Sequence, residues 1–147
     1  MTVRYLSVRI VRTQTREEPT LAIDLDKFSK LAHEDFEFKR ETRYLTGIIK
    51  CDFPNRSVAL HFEDGKMVKV EEATYDDDKC KIVIRGTDEQ WDALLQQKPL
   101  PFYQCLQSSN IKHGLHLSNT NETFAYLPAL NRMTTLMRNA RPEGVAA

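Results

Sequence analysis

The sequence has no surplus of either charge. Its 21 Lys and Arg residues are balanced by 21 Asp and Glu residues. A chain without a basic excess is poorly suited to nucleic acid, so we expect no nucleic-acid partner. Uninterrupted apolar runs are also short: none approaches the ~18 residues of a membrane-spanning helix, and the N-terminus lacks the apolar segment of a signal peptide. These absences predict a soluble, cytoplasmic protein with no integral membrane segment.

Cysteine is scarce and its arrangement is uninformative for disulfides. The three cysteines, Cys51, Cys80 and Cys105, are odd in number and show no CxxC spacing. This usage favours reduced thiols over a disulfide framework. Each cysteine lies in an apolar pattern, where a thiol behaves as a small buried hydrophobic group.

Motifs for catalysis and metal binding are missing as well. The sequence contains no GxSxG, GxxxxGK, GxGxxG or HExxH. His113 and His116 are three apart in a predicted strand, which sends their side chains to opposite faces. The acidic run 76–78 lacks the spacing of a calcium loop and predicts a polar turn. We therefore expect no metal, no cofactor and no catalytic residue; whether the chain is an enzyme stays open, with a non-enzymatic role favoured.

Helix and strand patterns alternate along the first part of the chain. Val3 to Arg12 is rich in β-formers and predicts an N-terminal strand. Apolar residues at helical intervals from Leu25 to Phe36, with Asp24 as N-cap, predict the first helix. A hairpin is expected around Asp64-Gly65, the favoured pair for a tight turn. Further strands are predicted over 42–53 and 80–85.

The second part begins with a helix that is well marked in the sequence. Thr87 and Gln90 have the form of a capping box, and Trp91 follows on the inward stripe. Prolines end this helix, and a short apolar-faced helix is predicted around Leu106. A strand is expected over 110–118, then a C-terminal helix or helix pair. Together the predicted helices and strands indicate an α+β fold with an antiparallel sheet.

Large apolar side chains concentrate in the last third of the sequence. For any one of them, burial in the core is the expected fate, but as a group they exceed what one sheet face buries. The members are Trp91, Leu95, Phe102, Tyr103, Leu106, Phe124, Tyr126, Leu127, Leu130, Met133, Leu136 and Met137.

From about Gly47 to Met137 the order of these signals resembles the sterol carrier protein type 2 family. The segments that carry the resemblance are "VALHFEDGKMVKV", "CKIVIRGTDEQWDALLQQKPLPFYQCLQSSNIKHGLHLS" and "ETFAYLPALNRM". The resemblance implies an antiparallel five-stranded sheet covered on one side by helices, here with an extra N-terminal strand. We expect one domain over residues 1–140, with 47–137 as the region best matched to the family, 1–20 as an extension without a counterpart there and 141–147 as a disordered tail.

By the same resemblance, the chain binds or carries a hydrophobic small molecule such as a lipid, a sterol or an acyl chain. The ligand would occupy an apolar tunnel between sheet and helices. Carried over by position, eight residues would line it: Trp91, Leu95, Phe102, Leu106, Phe124, Leu127, Leu130 and Met133.

Two other functions stay open at this point. The cavity could serve an enzyme that acts on a hydrophobic biosynthetic intermediate, since burial can tune a carboxyl group or a histidine into an acid or base. Candidate groups for that chemistry are Asp52, His61, Tyr103, His113 and His116. Alternatively, the chain is a structural or interaction module that forms a homodimer through the N-terminal strand.

Overall fold

The computed structural model describes residues 23–142. The predicted N-terminal strand, the extension 1–20 and residues 143–147 of the predicted tail lie outside this range. The described part contains six α-helices, five strands and a short 3₁₀ helix. In chain order these are α1 (Leu25–Glu34), α2 (Phe36–Glu41), β1 (Gly47–Phe53), β2 (Arg56–Glu63), β3 (Lys66–Glu72), the 3₁₀ helix (Asp77–Lys79), β4 (Ile82–Arg85), α3 (Asp88–Leu94), α4 (Leu106–His113), β5 (His116–Leu117), α5 (Asn121–Ala125) and α6 (Leu127–Asn139).

The first predicted helix is two helices that meet at Asp35. This residue has an extended backbone conformation and its carboxylate accepts a hydrogen bond from the Phe38 amide at 2.8 Å, which makes it the N-cap of α2. Asp24 caps α1 in the same way through the Lys27 amide, as the sequence predicts. Because the chain turns at Asp35, Phe36 leaves the apolar stripe and becomes exposed.

The five strands form one sheet in the order β3-β2-β1-β4-β5. Strands β1, β2 and β3 are consecutive antiparallel neighbours, and β5 runs antiparallel to β4. Strand β4, however, lies beside β1 and runs parallel to it, with Ile49 opposite Ile82 and Cys51 opposite Ile84. The prediction of a purely antiparallel sheet is therefore wrong: the sheet is mixed.

The parallel pair depends on the connection between β3 and β4. Parallel neighbours cannot be joined by a tight turn, so residues 73–81 must carry the chain from the edge strand β3 to the far side of β1. On the way, the Lys50 ammonium donates to the Tyr75 carbonyl at 2.7 Å and pairs with the Asp77 carboxylate at 2.5 Å. Lys50 is on β1, and these contacts leave its side chain only 4% exposed.

The two faces of the sheet differ in chemistry. Alternate residues of the central strands, such as Ile49 and Cys51 on β1 and Leu60 on β2, are buried in one apolar cluster with residues of α1, α2, α3 and α6. Their neighbours in sequence, such as Lys50 and His61, point to the opposite face. The helices thus cover the apolar face, and the crossover 73–81 lies against the polar one.

The prediction for residues 106–118 is wrong in part. The helix α4 runs through His113 and ends at Gly114, which has a φ of +74°. The predicted strand over 110–118 is reduced to the two residues of β5. The amide side chain of Asn110 donates to the Leu115 carbonyl at 2.8 Å, which stabilises the helical turn and the chain reversal after it.

Candidate functional site

A pocket of about 590 Å³ opens between the first two helices and the β2–β3 hairpin. Its floor is apolar: the buried side chains of Ala32, Phe38, Phe62 and Met67 form it. Phe38 and Phe62 meet edge to face with ring centroids 6.1 Å apart. Pockets of roughly 300–1,000 Å³ with mostly apolar walls are the usual size for small-molecule sites. The remaining lining residues are His33, Lys39, Thr42, Arg43, Asp64, Gly65, Lys66 and Val68.

Hydrogen bonds fix the end of the pocket where the hairpin turn meets the loop after α2. The Thr42 hydroxyl donates to the Gly65 carbonyl at 3.2 Å, and the Gly65 amide donates to the Leu45 carbonyl at 2.8 Å. The Asp64 amide donates to the Thr46 hydroxyl at 2.9 Å. Together these bonds hold the turn and the loop in one arrangement.

The same end of the pocket is closely packed around Gly65. A Cβ atom at this glycine would lie 2.9 Å from the Cα atom of Arg43. A side chain at this position would therefore clash with the backbone of the loop.

His33 ties α1 to β3 at the side of the pocket. One ring nitrogen lies 2.7 Å from the Ser29 carbonyl oxygen and the other lies 2.9 Å from the Met67 carbonyl oxygen. The Ser29 hydroxyl oxygen also lies 3.3 Å from the first of these nitrogens. The contact to Met67 joins elements that are 34 residues apart in the sequence.

The eight residues predicted to bind ligand lie elsewhere. Five of them are fully buried in the apolar cluster: Trp91, Leu95, Leu106, Leu130 and Met133. Leu127 is half-buried and packs against that cluster. Phe102 and Phe124 are exposed, by 47% and 58%. None of the eight lines the pocket, nor a second one of about 330 Å³ beside α3, so their role in ligand binding stays a prediction.

Trp91 has a well-defined set of core contacts. Its ring stacks on Phe53 with centroids 4.3 Å apart, and its Nε1–H donates to the Asp52 carbonyl at 2.8 Å. A buried indole needs such an acceptor, because an unpaired N–H in an apolar interior is costly. The contacts place this residue at the centre of the packing between β1 and α3.

Two of the candidate catalytic groups, Asp52 and His61, lie on the polar face of the sheet. Asp52 accepts hydrogen bonds from Arg85 at 2.9 Å and from the Ser57 hydroxyl. His61 Nε2 lies 2.7 Å from Glu71, whose carboxylate also accepts from the Tyr75 hydroxyl at 2.5 Å.

The electrostatics of this face follow from the same contacts. The Tyr75 hydroxyl, followed by His61 and Lys69, lowers the pKa of Glu71 to about 2. The hydrogen bond from Lys50 is the main reason why the pKa of Asp77 lies below its usual value. These groups pair with one another and hold the crossover segment, and none of them lines the pocket.

The other three candidates lie near α4. The rings of Tyr103 and His113 stack with centroids 4.0 Å apart and nearly parallel planes. His113 also contacts the Pro101 carbonyl at 3.1 Å, whereas His116 is on β5 and exposed. The structure therefore separates the five groups into two sets, neither of them at the pocket.

Two solved structures have a fold similar to that of this chain. A crystal structure of sterol carrier protein 2 superposes with a TM-score of 0.61, covering 78% of this chain and 93% of that one, at 13% sequence identity. The chain has the sterol carrier protein 2 fold. The conserved hypothetical protein TT1886 from Thermus thermophilus shares it, with a TM-score of 0.57, coverage of 82% and 85%, and 15% identity. No protein-family model and no curated protein matches the chain by sequence.

The described residues contain neither a membrane-spanning helix nor a cluster of metal-ligating side chains. Within residues 23–142, no helix has the length and apolar character needed to span a bilayer. Over the same residues there is no cluster of three or more His, Cys, Asp or Glu side chains arranged to hold a metal ion. The pocket between α1, α2 and the β2–β3 hairpin is the candidate site of this sterol carrier protein 2 fold.

Sequence reasoning missed the pocket because its floor comes from segments that are far apart in the chain. Ala32 and Phe38 belong to the first two helices, and Phe62 and Met67 flank the hairpin turn. In sequence each one is an ordinary core position. The lining also includes the basic residues Lys39, Arg43 and Lys66. The sequence does not show that they lie close together, because this depends on the hairpin packing against α2.

Proposed function

We propose that the chain binds and carries a hydrophobic small molecule in the pocket between α1, α2 and the β2–β3 hairpin. The observation that carries the proposal is the pocket itself: about 590 Å³ of space above a buried apolar floor. Burial of apolar ligand surface contributes roughly 25 cal/mol per Å², so such a floor gives affinity without any catalytic group. The sterol carrier protein 2 fold supports the same function, because the name of the neighbour in fold describes a carrier.

A direct test is titration of the full chain with an uncharged alkyl probe, n-decanol, followed by calorimetry. A variant that fills the pocket, Val68→Trp, should abolish the binding heat. Val68 lines the pocket and is 55% exposed, so a larger side chain there can be accommodated without unfolding. Ile111→Trp is the matched control, because Ile111 is exposed on α4 and lines neither pocket.

Equal binding by both variants contradicts the proposed site. Absence of heat with the unmodified chain at two well-separated temperatures contradicts the function, because burial of apolar surface gives a heat that changes with temperature. A decanol that carries bromine at its far end then separates the pocket from the predicted interior tunnel. Trp91 is the single tryptophan of the chain, and bromine quenches it only on contact. Quenching of Trp91 supports the tunnel lined by the eight predicted residues. Binding of the brominated probe to the unmodified chain without quenching of Trp91 supports the pocket.

A further inference from the structure

Charges of opposite sign are separated into two consecutive segments around α3 and α4. Residues 93–121 contain no Asp or Glu, and their lysines, Lys98 and Lys112, are exposed. The helix directly before them, α3, begins with the exposed residues Asp88 and Glu89. An acidic surface is therefore followed in the chain by a basic one.

The two segments are also neighbours in space. The side-chain amide of Gln90 on α3 donates to the His113 carbonyl at the end of α4, at 2.7 Å. Glu89 and Lys112 directly precede these two residues and are exposed. Within residues 23–142, neither Glu89 nor Lys112 forms an ion pair. One face of the molecule thus presents both signs of charge side by side.

Phe102 on this face is held in position although it is half-exposed. Its φ is +70°, which is rare for a bulky residue and persists only where surrounding bonds enforce it. The hydroxyls of Ser108 and Ser109 donate to its carbonyl at 2.8 and 2.9 Å, and its amide donates to the Gln104 side chain at 2.9 Å. The Lys112 ammonium lies 5.4 Å from the ring centroid. These bonds fix an exposed phenyl group beside a positive charge.

The second pocket, of about 330 Å³, lies next to this ring. Leu100 lines it and is only two residues from Phe102. Its volume is at the lower end of the range for small-molecule sites, so a phenyl ring fits. The charged groups in its lining are two carboxylates and one ammonium. All its lining residues are Glu89, Asp92, Ala93, Gln96, Lys98 and Leu100.

We propose that this face is the contact of a twofold homodimer, in which Phe102 of each copy enters the second pocket of the other copy. Lys112 then lies against the partner's Glu89. In a twofold contact both copies use the same patch, so the patch must be complementary to itself. A fixed ring beside a pocket, with opposite charges at the two places, meets this requirement, and both contacts form at once.

This inference goes beyond the proposed function and does not depend on it. The face shares no residue with the lining of the larger pocket. It also differs from the homodimer that the sequence suggests, because it does not use the N-terminal strand.

The fixed position of Phe102 favours a protein partner over a lipid surface. A fluid bilayer accepts an apolar side chain in many orientations, whereas binding in a pocket gains from a ring that is already in place. The carboxylates of Asp88 and Glu89 would also be repelled by an anionic membrane. A second copy of the chain supplies both the pocket for the ring and the carboxylate for Lys112.

Sedimentation equilibrium of the full chain between about 1 μM and about 1 mM tests the proposal. We expect a reversible dimer that weakens between about 0.01 M and about 1 M salt, as the screening length falls from ~30 to ~3 Å. Phe102→Ala should weaken it at least roughly tenfold, because each dimer loses two buried rings. Phe36→Ala is the matched control: Phe36 is an exposed phenylalanine on α2 that lines neither pocket, and its loss should change nothing.

A charge exchange distinguishes this contact from other dimer interfaces. Glu89→Lys alone and Lys112→Glu alone place like charges together at both halves of the contact, so each should weaken the dimer roughly tenfold. A mixture of the two variants restores opposite charges at both halves, and a heterodimer should form with nearly the affinity of the unmodified dimer. The control mixture combines Glu89→Lys with Lys27→Glu. Lys27 is exposed on α1, so the net charges are the same but association should not return.

The outcomes that overturn the proposal are specific. Monomers at every concentration contradict it, and so do dimers that Phe102→Ala and Phe36→Ala affect equally. A mixture of Glu89→Lys and Lys112→Glu that forms no heterodimer excludes the twofold pairing. Circular dichroism shows whether each variant is folded, and if Phe102→Ala is not, the charge exchange at two exposed positions decides. If the chain is monomeric but Phe102→Ala abolishes cosedimentation with vesicles that contain anionic phospholipid, the face serves a bilayer and the proposal is wrong.

Discussion

The carboxylate of Asp35 and the guanidinium of Arg132 form a two-pronged ion pair across 97 residues of sequence, with N–O distances of 3.0 and 2.7 Å. Asp35 is also the N-cap of α2, so one side chain begins a helix and attaches it to α6. Paired hydrogen bonds of this kind fix orientation as well as distance. The pair joins the helices beside the pocket to the C-terminal helix that completes the core.

The first prediction concerns this pair. Replacing Asp35 by Ala should lower the free energy of unfolding by about 2 kcal/mol, because the helix cap and the ion pair are lost together. Asp35→Asn should cost less, since an amide oxygen can still cap the helix. Urea unfolding of these variants, of Arg132→Met and of the double variants gives the coupling between the two residues. A coupling energy indistinguishable from zero would show that the pair contributes nothing beyond the cap.

The second prediction is a dependence of stability on pH at Glu71. Its pKa falls from 4.5 to about 2 in the folded chain, mainly through the Tyr75 hydroxyl. A carboxyl whose folded pKa lies below its unfolded value stabilises the fold above the unfolded value, and that contribution disappears as the pH falls through the folded one. The chain should therefore be more stable than Glu71→Gln near neutral pH, and the difference should shrink between pH 4.5 and about pH 2.

Urea midpoints of the two proteins, measured across that range, check the second prediction. Glu63→Gln is a suitable control, because Glu63 is exposed at the end of β2 and forms none of the ion pairs seen within residues 23–142. A gap between the unmodified chain and Glu71→Gln that stays constant with pH would be incompatible with the depressed pKa.

The third prediction compares two glycines with positive φ. At Gly114, φ is +74° and the nearest atom to an added Cβ is 4.0 Å away, so Gly114→Ala should cost only the conformational penalty of about 1 kcal/mol. At Gly65, φ is +82° and the added Cβ would contact the backbone of Arg43 at 2.9 Å. Gly65→Ala should therefore cost clearly more in a denaturant titration and should weaken ligand binding. Equal losses from the two substitutions would refute the close packing of the turn.

The fourth prediction concerns thiol reactivity. Cys51 is fully buried on β1, and this burial raises its pKa to about 12. Both effects suppress the thiolate that reacts with alkylating reagents. Iodoacetamide should label the half-buried Cys80 and Cys105 first, and Cys51 only when the chain unfolds. Mass spectrometry of partly labelled protein identifies the sites, and early labelling of Cys51 would be inconsistent with its place in the core.

Local features of the fold were predictable from the sequence. The capping box is present as expected: the Gln90 amide donates to the Thr87 hydroxyl at 3.1 Å, and the Thr87 amide donates to the Gln90 side chain at 2.9 Å. Asp64 and Gly65 both have positive φ, as a two-residue hairpin turn requires. In each case the decisive contacts lie within a few residues, so the local sequence contains the necessary information.

Features that depend on distant contacts were not predictable in this way. The crossover that leads to β4 beside β1 is bound by Lys50, which contacts Tyr75 and Asp77 over 25 residues or more of sequence. A strand pattern records which face is apolar but not which strand becomes the neighbour. The pocket was missed for the same reason, because nothing near Phe38 in the sequence indicates that Phe62 will lie next to it.

The order of the strands also bears on how the protein behaves when it is concentrated. Within the described residues, the two edges of the sheet are β3 and β5. β5 has two residues, too few to serve as a template, and β3 carries Lys66, Lys69, Glu71 and Glu72 next to a β-bulge in its pairing with β2. Charged, irregular or very short edges resist the addition of another chain. This sheet is thus protected against edge-to-edge aggregation by the same strand that supplies one wall of its pocket.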